Sequence, residues 1–391
     1  KSADSQGMLP GYAHTCQRRF GKGVLSERRY HMPAGRRPCE TVRGVVMDRI
    51  IKEDCLEYLK KIDLSPLKGK TVFITGANGL IGTYIIYMLH LANLTQDSGI
   101  NIVATSRNAP CSKLSDIFSG RYTFISADLA KDGVPELPFK TDYIIHGATY
   151  AQPATFIKKY RETILLNTAV TESLLKKAKD DGASFLFLSS SEVYGNPDKA
   201  HIPTPEDYPG LCTPVSVRAV YSEAKRLGET ICFCYRNFED LDVKIARISM
   251  TYGPGVTIND KRVLGEFMRQ ALFDHKIKMI DDGRKERPFC YIADSVIMLL
   301  NILLYGKDFV YNVGINERIS IRQLAEEICR QTGSSLEIEQ RKTPTGRNIE
   351  ESPECVQLDV SKACSEFGIT SFKPFSEGLK RTIEWNMLNL K

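Results

Sequence analysis

The chain reads as an α/β protein: a Rossmann-type, doubly wound parallel sheet with a smaller C-terminal substrate-binding domain. Three observations point to that fold class. An uninterrupted apolar strand, Thr71-Val-Phe-Ile-Thr75, runs straight into a glycine turn, Gly76-Ala-Asn-Gly79-Leu-Ile-Gly82, that opens a helix. Apolar strand-length runs then alternate with helical stretches to about residue 250, which requires a sheet covered on both faces. With 391 residues, 42% of them hydrophobic, the chain has ample material for a large core.

Taken in order, residues 1–46 stand apart. They hold nine Lys/Arg against Asp4, Glu27 and Glu40, which accounts for the whole net charge of +6. They lack apolar periodicity and carry Gly and Pro freely. Three readings of this basic extension stay open: upstream read-through with a natural start at Met47, an Arg-rich transit segment, or a true basic arm. In each, the segment is expected to lie outside the fold.

Residues 48–62 form an amphipathic helix pattern, followed by the strand 71–75 and a helix to about Leu91. Strands are expected at 101–105, 121–126 and 142–146, a helix at 161–180, a strand at 184–189, a helix at 220–238 and a strand at 243–248. Beyond residue 250 the order loosens. Helices near 261–274, 294–304, 320–332 and 375–388 alternate with short strands and loops rich in Pro, Gly and charge. The expected division is therefore a dinucleotide-binding domain over 47–250 and a mainly substrate-binding domain over 251–391, interleaved with the first.

Several classes are excluded or disfavoured. From Met47 onward the charge is balanced, so nothing suggests a nucleic-acid partner. No run approaches the roughly 20 apolar residues that span a bilayer, so no membrane role is expected. Eleven cysteines without a Cys-x-x-Cys pair suit reduced thiols and a cytoplasmic location. Histidines are few and dispersed, so no metal site is expected; His146 ends an apolar run and reads as a strand-end packing residue.

The chemistry-bearing motifs fall into two groups. Gly76, Gly79 and Gly82 follow a strand and open a helix, the context in which such a turn holds a pyrophosphate. Asn78, Leu80 and Ile81 belong to the same turn, whose helix N-terminus directs free N–H groups at the phosphates. The second strand ends Ser106-Arg107 without the carboxylate that usually meets the ribose of NAD. Ser106 and Arg107 would suit a 2′-phosphate, which tips the expectation from NAD towards NADP, although Arg107 could equally stack on adenine. The second group is Ser190, at the end of a strand, with Tyr221 and Lys225 one helical turn apart. Tyr221 would be the base, Lys225 the charge that favours its phenolate and a holder of the nicotinamide ribose, and Ser190 a donor to the reacting oxygen.

With these motifs placed, the chain resembles the extended short-chain dehydrogenase/reductases that act on nucleotide sugars (NAD-dependent epimerase/dehydratases). The resemblance covers about Lys70 to Leu390 and includes the glycine spacing, His146-Gly-Ala-Thr149, Arg247-Ile-Ser-Met-Thr-Tyr-Gly-Pro254 and Gly378-Leu-Lys-Arg-Thr-Ile-Glu-Trp385. It implies that Asp128 and Leu129 hold the adenine amino group, that Ala148 and Thr149 line the cofactor, and that Asn167 supports the active-site helix. It also implies that Asn259, Arg262 and Arg287 face a nucleotide diphosphate-sugar, and that the protein is a homodimer pairing the helices around 161–180 and 220–238.

Within the family, Ser190-Ser191-Glu192 before Val193-Tyr194-Gly195 is similar to the Thr/Ser-Ser-Glu of the UDP-glucuronate decarboxylases. The 4,6-dehydratases have Asp at the position of Ser191, and the 4-epimerases usually lack the glutamate. The resemblance then implies oxidation at sugar C4 and loss of CO2 from C5, with Glu192 and Arg287 positioning the carboxylate or protonating C5, and Ser191 contacting the sugar. The alternatives are a 4,6-dehydratase or 4-epimerase and, in another class, a non-catalytic NADP sensor, which would be expected to lose Tyr221 or Lys225.

Overall fold

The structure, a computed structural model, describes residues 47–120, 122–339 and 356–390. The basic extension 1–46 lies outside the described residues. In chain order the helices are α1 (Arg49–Tyr58), α2 (Leu80–Thr95), α3 (Leu129–Asp132), α4 (Pro153–Lys158), α5 (Tyr160–Asn167), α6 (Ala169–Asp181), α7 (Ala219–Phe238), α8 (Val263–Arg269), α9 (Ile292–Tyr305), α10 (Ile321–Thr332), α11 (Ser361–Phe367) and α12 (Phe375–Leu388). The strands of the main sheet are β1 (Thr71–Thr75), β2 (Asn101–Ser106), β3 (Thr123–Ser126), β4 (Tyr143–His146), β5 (Ser184–Ser190), β6 (Val243–Ile248) and, from the C-terminal third, β11 (Val310–Val313). Three two-stranded ribbons pair β7 (Thr251–Tyr252) with β10 (Cys290–Tyr291), β8 (Lys276–Met279) with β13 (Ser335–Ile338), and β9 (Glu286–Arg287) with β12 (Ile319–Ser320).

The main sheet has the order β11-β6-β5-β4-β1-β2-β3, and every neighbouring pair in it is parallel. Successive strand residues serve opposite faces. Val72 and Ile74 join the apolar layer of α1, α2 and α9, whereas Phe73 joins the layer containing Leu174, Leu175 and Ala178 of α6. This is the doubly wound Rossmann arrangement. Chain reversal at the sheet centre leaves the carboxyl ends of β1, β4 and β5 together, where such folds bind ligands.

Three elements differ from the sequence reading. The helix expected over 161–180 is two helices: at Thr168 the backbone turns to φ −123°, ψ −86°. Thr168 bonds back through its hydroxyl to the Ile164 carbonyl at 2.8 Å, a contact that competes with regular helix and bends it. The helix expected near 261–274 is α-helical only to Arg269 and finishes as a π-turn over Gln270–Asp274. Finally, β11 pairs with β6 (Val310 opposite Ile245), so a strand from beyond residue 250 completes the main sheet.

Helix α1 is anchored to the C-terminal end of the chain. Asp48 caps α1 by accepting from the Ile50 and Ile51 N–H groups, both at 3.1 Å, and takes the Trp385 indole N–H at 2.6 Å. Such a cap contributes about 1 kcal/mol. Asp54 is fully buried, accepts from the Tyr84 and Tyr291 hydroxyls, and lies 2.7 Å from Arg381 Nε. Burial raises its carboxyl above the ordinary carboxylate value, and the hydroxyls and Arg381 work against that rise.

Candidate active site

A cleft of about 1430 Å³ opens at the carboxyl ends of the central strands. One end is formed by the β1–α2 turn. Gly76 has φ +76°, and a Cβ there would lie 2.6 Å from the Gly147 carbonyl oxygen and 2.9 Å from the Ala148 nitrogen. A Cβ on Gly82 would lie 2.6 Å from the Gly76 carbonyl oxygen. The turn is therefore a tight glycine cradle, with Gly79 as the N-cap of α2 and no capping side-chain hydrogen bond at that helix end among the described residues. These features fit a dinucleotide pyrophosphate.

The floor of the cradle depends on His146. Its Nε2 donates to the Leu166 carbonyl (2.9 Å), so Nδ1 accepts from the Thr75 hydroxyl (2.8 Å). Thr75 Oγ1 in turn accepts from the Gly147 and Ala148 N–H groups at 3.2 and 3.1 Å. Burial, helped by the Lys225 charge, holds the imidazole down to about 3, so the ring stays neutral and the tautomer is set. The reading of His146 as a packing residue understates this hydrogen-bonding role.

Around this turn the expected residues separate into those at the cleft wall and those behind it. Leu80 and Ile81 line the cleft with Thr149. Asn78 instead braces the turn: it donates to the Ala109 carbonyl at 2.9 Å and accepts from the Cys111 N–H at 2.9 Å. Thr149 accepts from Asn167 Nδ2 at 2.9 Å, and that amide also donates to the Thr163 carbonyl. Ser106 ends β2 opposite Ser126, and Arg107 next to it donates to the Tyr150 hydroxyl and sits against that ring. Asp128 precedes the short α3 and its carboxylate pairs with Lys131 at 3.7 Å, while the Leu129 side chain is buried in the apolar layer.

The side chains expected to react meet at the end of β5. Tyr221, on the first turn of α7, is 5% exposed, stacks on Phe156 with ring centroids 5.0 Å apart, and is hydrogen-bonded to Ser190. Burial pushes its hydroxyl up to about 12; the Ser190 bond and the Arg262 charge act against that rise, and the Glu192 charge adds to it. Ser190 also accepts the Glu192 N–H at 3.3 Å, tying the 3-10 turn Ser191–Tyr194 to the strand end.

Lys225 makes contacts that its spacing from Tyr221 does not reveal. It lies one turn beyond Tyr221 and is fully buried, but its ammonium donates to the Leu188 carbonyl at 2.5 Å and sits 4.4 Å from the Phe187 ring centroid. Burial brings it down to about 7, with the Glu229 charge opposing. Glu229 itself is held by the Ser189 hydroxyl (2.6 Å) and by Arg247, and Arg247 reaches on to the Tyr194 hydroxyl. Glu229 and Arg247 were not among the residues expected at the site. Glu229 lies one helical turn past Lys225, a spacing visible in the sequence, whereas its contact with Arg247 is not.

On the opposite wall, Arg262 forks onto Asp260, with contacts of 2.6 to 3.1 Å. Arg287 is 9% exposed and donates to the Glu286 carbonyl at 2.6 Å. Ser191, Glu192, Arg262 and Arg287 all line the cleft, whereas Asn259 is exposed outside it. Glu192, expected to act with Arg287, has its ion pair with Arg218 at 2.5 Å, a residue the motifs did not flag. Among the described residues no His/Cys/Asp/Glu group suited to a metal ion occurs, and no helix is long and apolar enough to cross a membrane.

Residues 72–314 match the NAD dependent epimerase/dehydratase family. The UDP-glucuronic acid decarboxylase 1 of Xenopus tropicalis is 31% identical over 330 residues, covering 82% of this chain and 73% of that protein. The UDP-glucuronic acid decarboxylase 3 of Arabidopsis thaliana is 31% identical over 312 residues, 79% of this chain and 86% of its own. Among solved structures, the Bacillus cereus UDP-glucuronic acid 4-epimerase in complex with UDP-glucuronic acid and NAD superposes with a TM-score of 0.67 at 23% identity, over 82% of this chain and 99% of that one. A glycine cradle at a helix N-terminus, a buried Tyr221 bonded to Ser190, and a family match across more than half the sequence lead to one conclusion: the chain belongs to the NAD dependent epimerase/dehydratase family of enzymes.

Proposed function

We propose that the protein decarboxylates a UDP-glucuronate-like nucleotide sugar by way of a 4-keto intermediate. The observation that carries this reading is the turn Ser190-Ser191-Glu192, which brings a carboxylate to the cleft wall beside the Tyr221–Ser190 pair. The decarboxylases of similar sequence support it.

When bound, an oxidised nicotinamide supplies the hydride acceptor for sugar C4 and a positive charge near the phenol. Tyr221 takes the C4 hydroxyl proton as that carbon is oxidised, and Ser190 donates to the developing carbonyl. The 4-keto uronate is a β-keto acid. Its C5–C6 bond breaks, CO2 leaves, and the electron pair passes into the C4 carbonyl as an enolate that Ser190 and Tyr221 hold. Glu192 and Arg287 position the departing carboxylate or deliver the proton that C5 then needs.

Ser106 and Arg107, at the end of β2, support NADP, since neither can repel a 2′-phosphate, while NAD accompanies the epimerase neighbour. A homodimer through α5 and α7 belongs to the same reading: Tyr160, Ile164, Leu227 and Phe233 expose apolar surface on these two helices. Static light scattering at twice the monomer mass would support the dimer; a monomer mass would remove it.

Incubation with UDP-glucuronate and oxidised cofactor should release CO2 and yield a UDP-pentose or its 4-keto form. Glu192→Gln should block CO2 release more than it blocks formation of reduced cofactor. If UDP-glucuronate is untouched while a neutral hexose nucleotide loses water or inverts at C4, the protein is a dehydratase or an epimerase.

A further inference from the structure

We propose that Arg218 is the specificity-determining residue for the C5 carboxylate: its guanidinium neutralises Glu192 and at the same time offers its remaining donors to the substrate's acid group. The proposal rests on the decarboxylase reading and adds to it the group that makes a uronate acceptable.

The argument begins with charge. A carboxylate on the cleft wall next to the catalytic tyrosine is unfavourable for a substrate that carries its own carboxylate at C5. Two like charges brought close together in a cleft of lowered dielectric repel strongly. Glu192 is such a wall group, so its charge has to be offset before a uronate can bind beside it. A uronate needs a cation in contact with Glu192 that has hydrogen-bonding capacity left over.

Three arginines line the cleft among the described residues: Arg218, Arg262 and Arg287. Arg262 is committed to Asp260 through both Nε and Nη2. Arg287 is 9% exposed, paired in a two-stranded ribbon, and donates to the Glu286 carbonyl. Arg218 is the one that meets Glu192, through a single nitrogen, Nη2, at 2.5 Å, and its side chain is one-third exposed. The rest of its planar five-donor fork makes no hydrogen bond to a described residue. A guanidinium of this kind can serve two carboxylates at once, which a point-charge ammonium does less well.

Position supports the same assignment. Arg218 is the N-cap of α7, and its carbonyl accepts the Tyr221 N–H at 3.0 Å. A continuous chain therefore runs from the Tyr221 hydroxyl to Ser190, from Ser190 Oγ to the Glu192 N–H, and from the Glu192 carboxylate to Arg218. A sugar whose C4 oxygen sits on Tyr221 and Ser190 has its C6 carboxylate two bonds beyond C4, beside the next members of that chain.

The test measures equilibrium binding of UDP-glucuronate and UDP-glucose to the cofactor-loaded protein, in wild type, Arg218→Met, Glu192→Gln and the double variant. Arg218→Met should weaken UDP-glucuronate by roughly ten- to a hundredfold, the range for losing one charge-assisted hydrogen bond, and change UDP-glucose less than threefold. Removing the Glu192 charge as well should restore part of the lost uronate affinity, because the repulsion disappears with it. Melting temperature and dinucleotide binding check the fold. If Arg218→Met does not fold, Arg218→Lys decides: it should lose uronate preference severalfold while keeping UDP-glucose affinity. Equal weakening of both sugars in the folded variant overturns the assignment while leaving the decarboxylase reading intact. A wild-type protein that neither binds nor converts UDP-glucuronate overturns both.

Discussion

Replacing Lys225 by Met should stabilise the protein, and by an amount that depends on pH. The Lys225 ammonium is fully buried and is brought down from 10.5 to about 7. Between those two values the unfolded chain holds the proton more tightly than the folded one, so wild-type stability rises with pH across this window. The displacement amounts to roughly 5 kcal/mol against the folded state near pH 6 and roughly 2 kcal/mol near pH 9. Methionine fills similar space without a charge but abandons the Leu188 carbonyl, whose lost bond costs about 1–3 kcal/mol at either pH. The expected result is a gain of roughly 3 kcal/mol near pH 6 that shrinks to almost none near pH 9. Urea unfolding of both proteins at the two pH values, followed by far-ultraviolet circular dichroism, reads the quantity directly. The change in the gap, roughly 2–3 kcal/mol, is independent of what the Leu188 bond contributes. A gap of equal size at both pH values would refute the reasoning, because Lys225 would then keep its proton throughout, held by Glu229.

Four further outcomes are expected. Gly76→Ala should weaken dinucleotide binding and lower the melting temperature together, because the new Cβ would lie 2.6 Å from the Gly147 carbonyl oxygen at φ +76° and force the turn to shift; isothermal titration with NAD and NADP and a thermal melt check it. Arg107→Ala should weaken NADP by about 1–3 kcal/mol and leave NAD nearly unchanged; equal losses on both would remove the NADP preference. Tyr221→Phe should lower turnover by at least roughly 10²–10⁴-fold with cofactor affinity retained, as expected when a general base is lost; stopped-flow formation of reduced cofactor measures it. A protein beginning at Met47 should keep its melting temperature and turnover, which differential scanning fluorimetry and a rate assay would test.

The sequence alone determined the elements whose signals are local. The β1–turn–α2 unit follows from an apolar run that meets glycines at fixed spacing. The capped helix α10, with Ser320 and Gln323 closing its first turn and Gly333 its last, follows from neighbours in the chain. The alignment of Tyr221 with Lys225 follows from helical periodicity. These are decided within one or two turns of backbone, so no distant partner can overrule them.

What only the tertiary structure decided depends on residues far apart in sequence. Val310–Val313 joins the main sheet because β6 presents a free edge there. Lys225 turns to the Leu188 carbonyl because β5 packs against α7 and brings that acceptor within hydrogen-bond reach. Glu192 meets Arg218, 26 residues later, and Glu229 meets Arg247, 18 residues later. Motifs reveal which side chains a reaction needs; which charge neutralises which other charge depends on distances that exist only once the layers have packed.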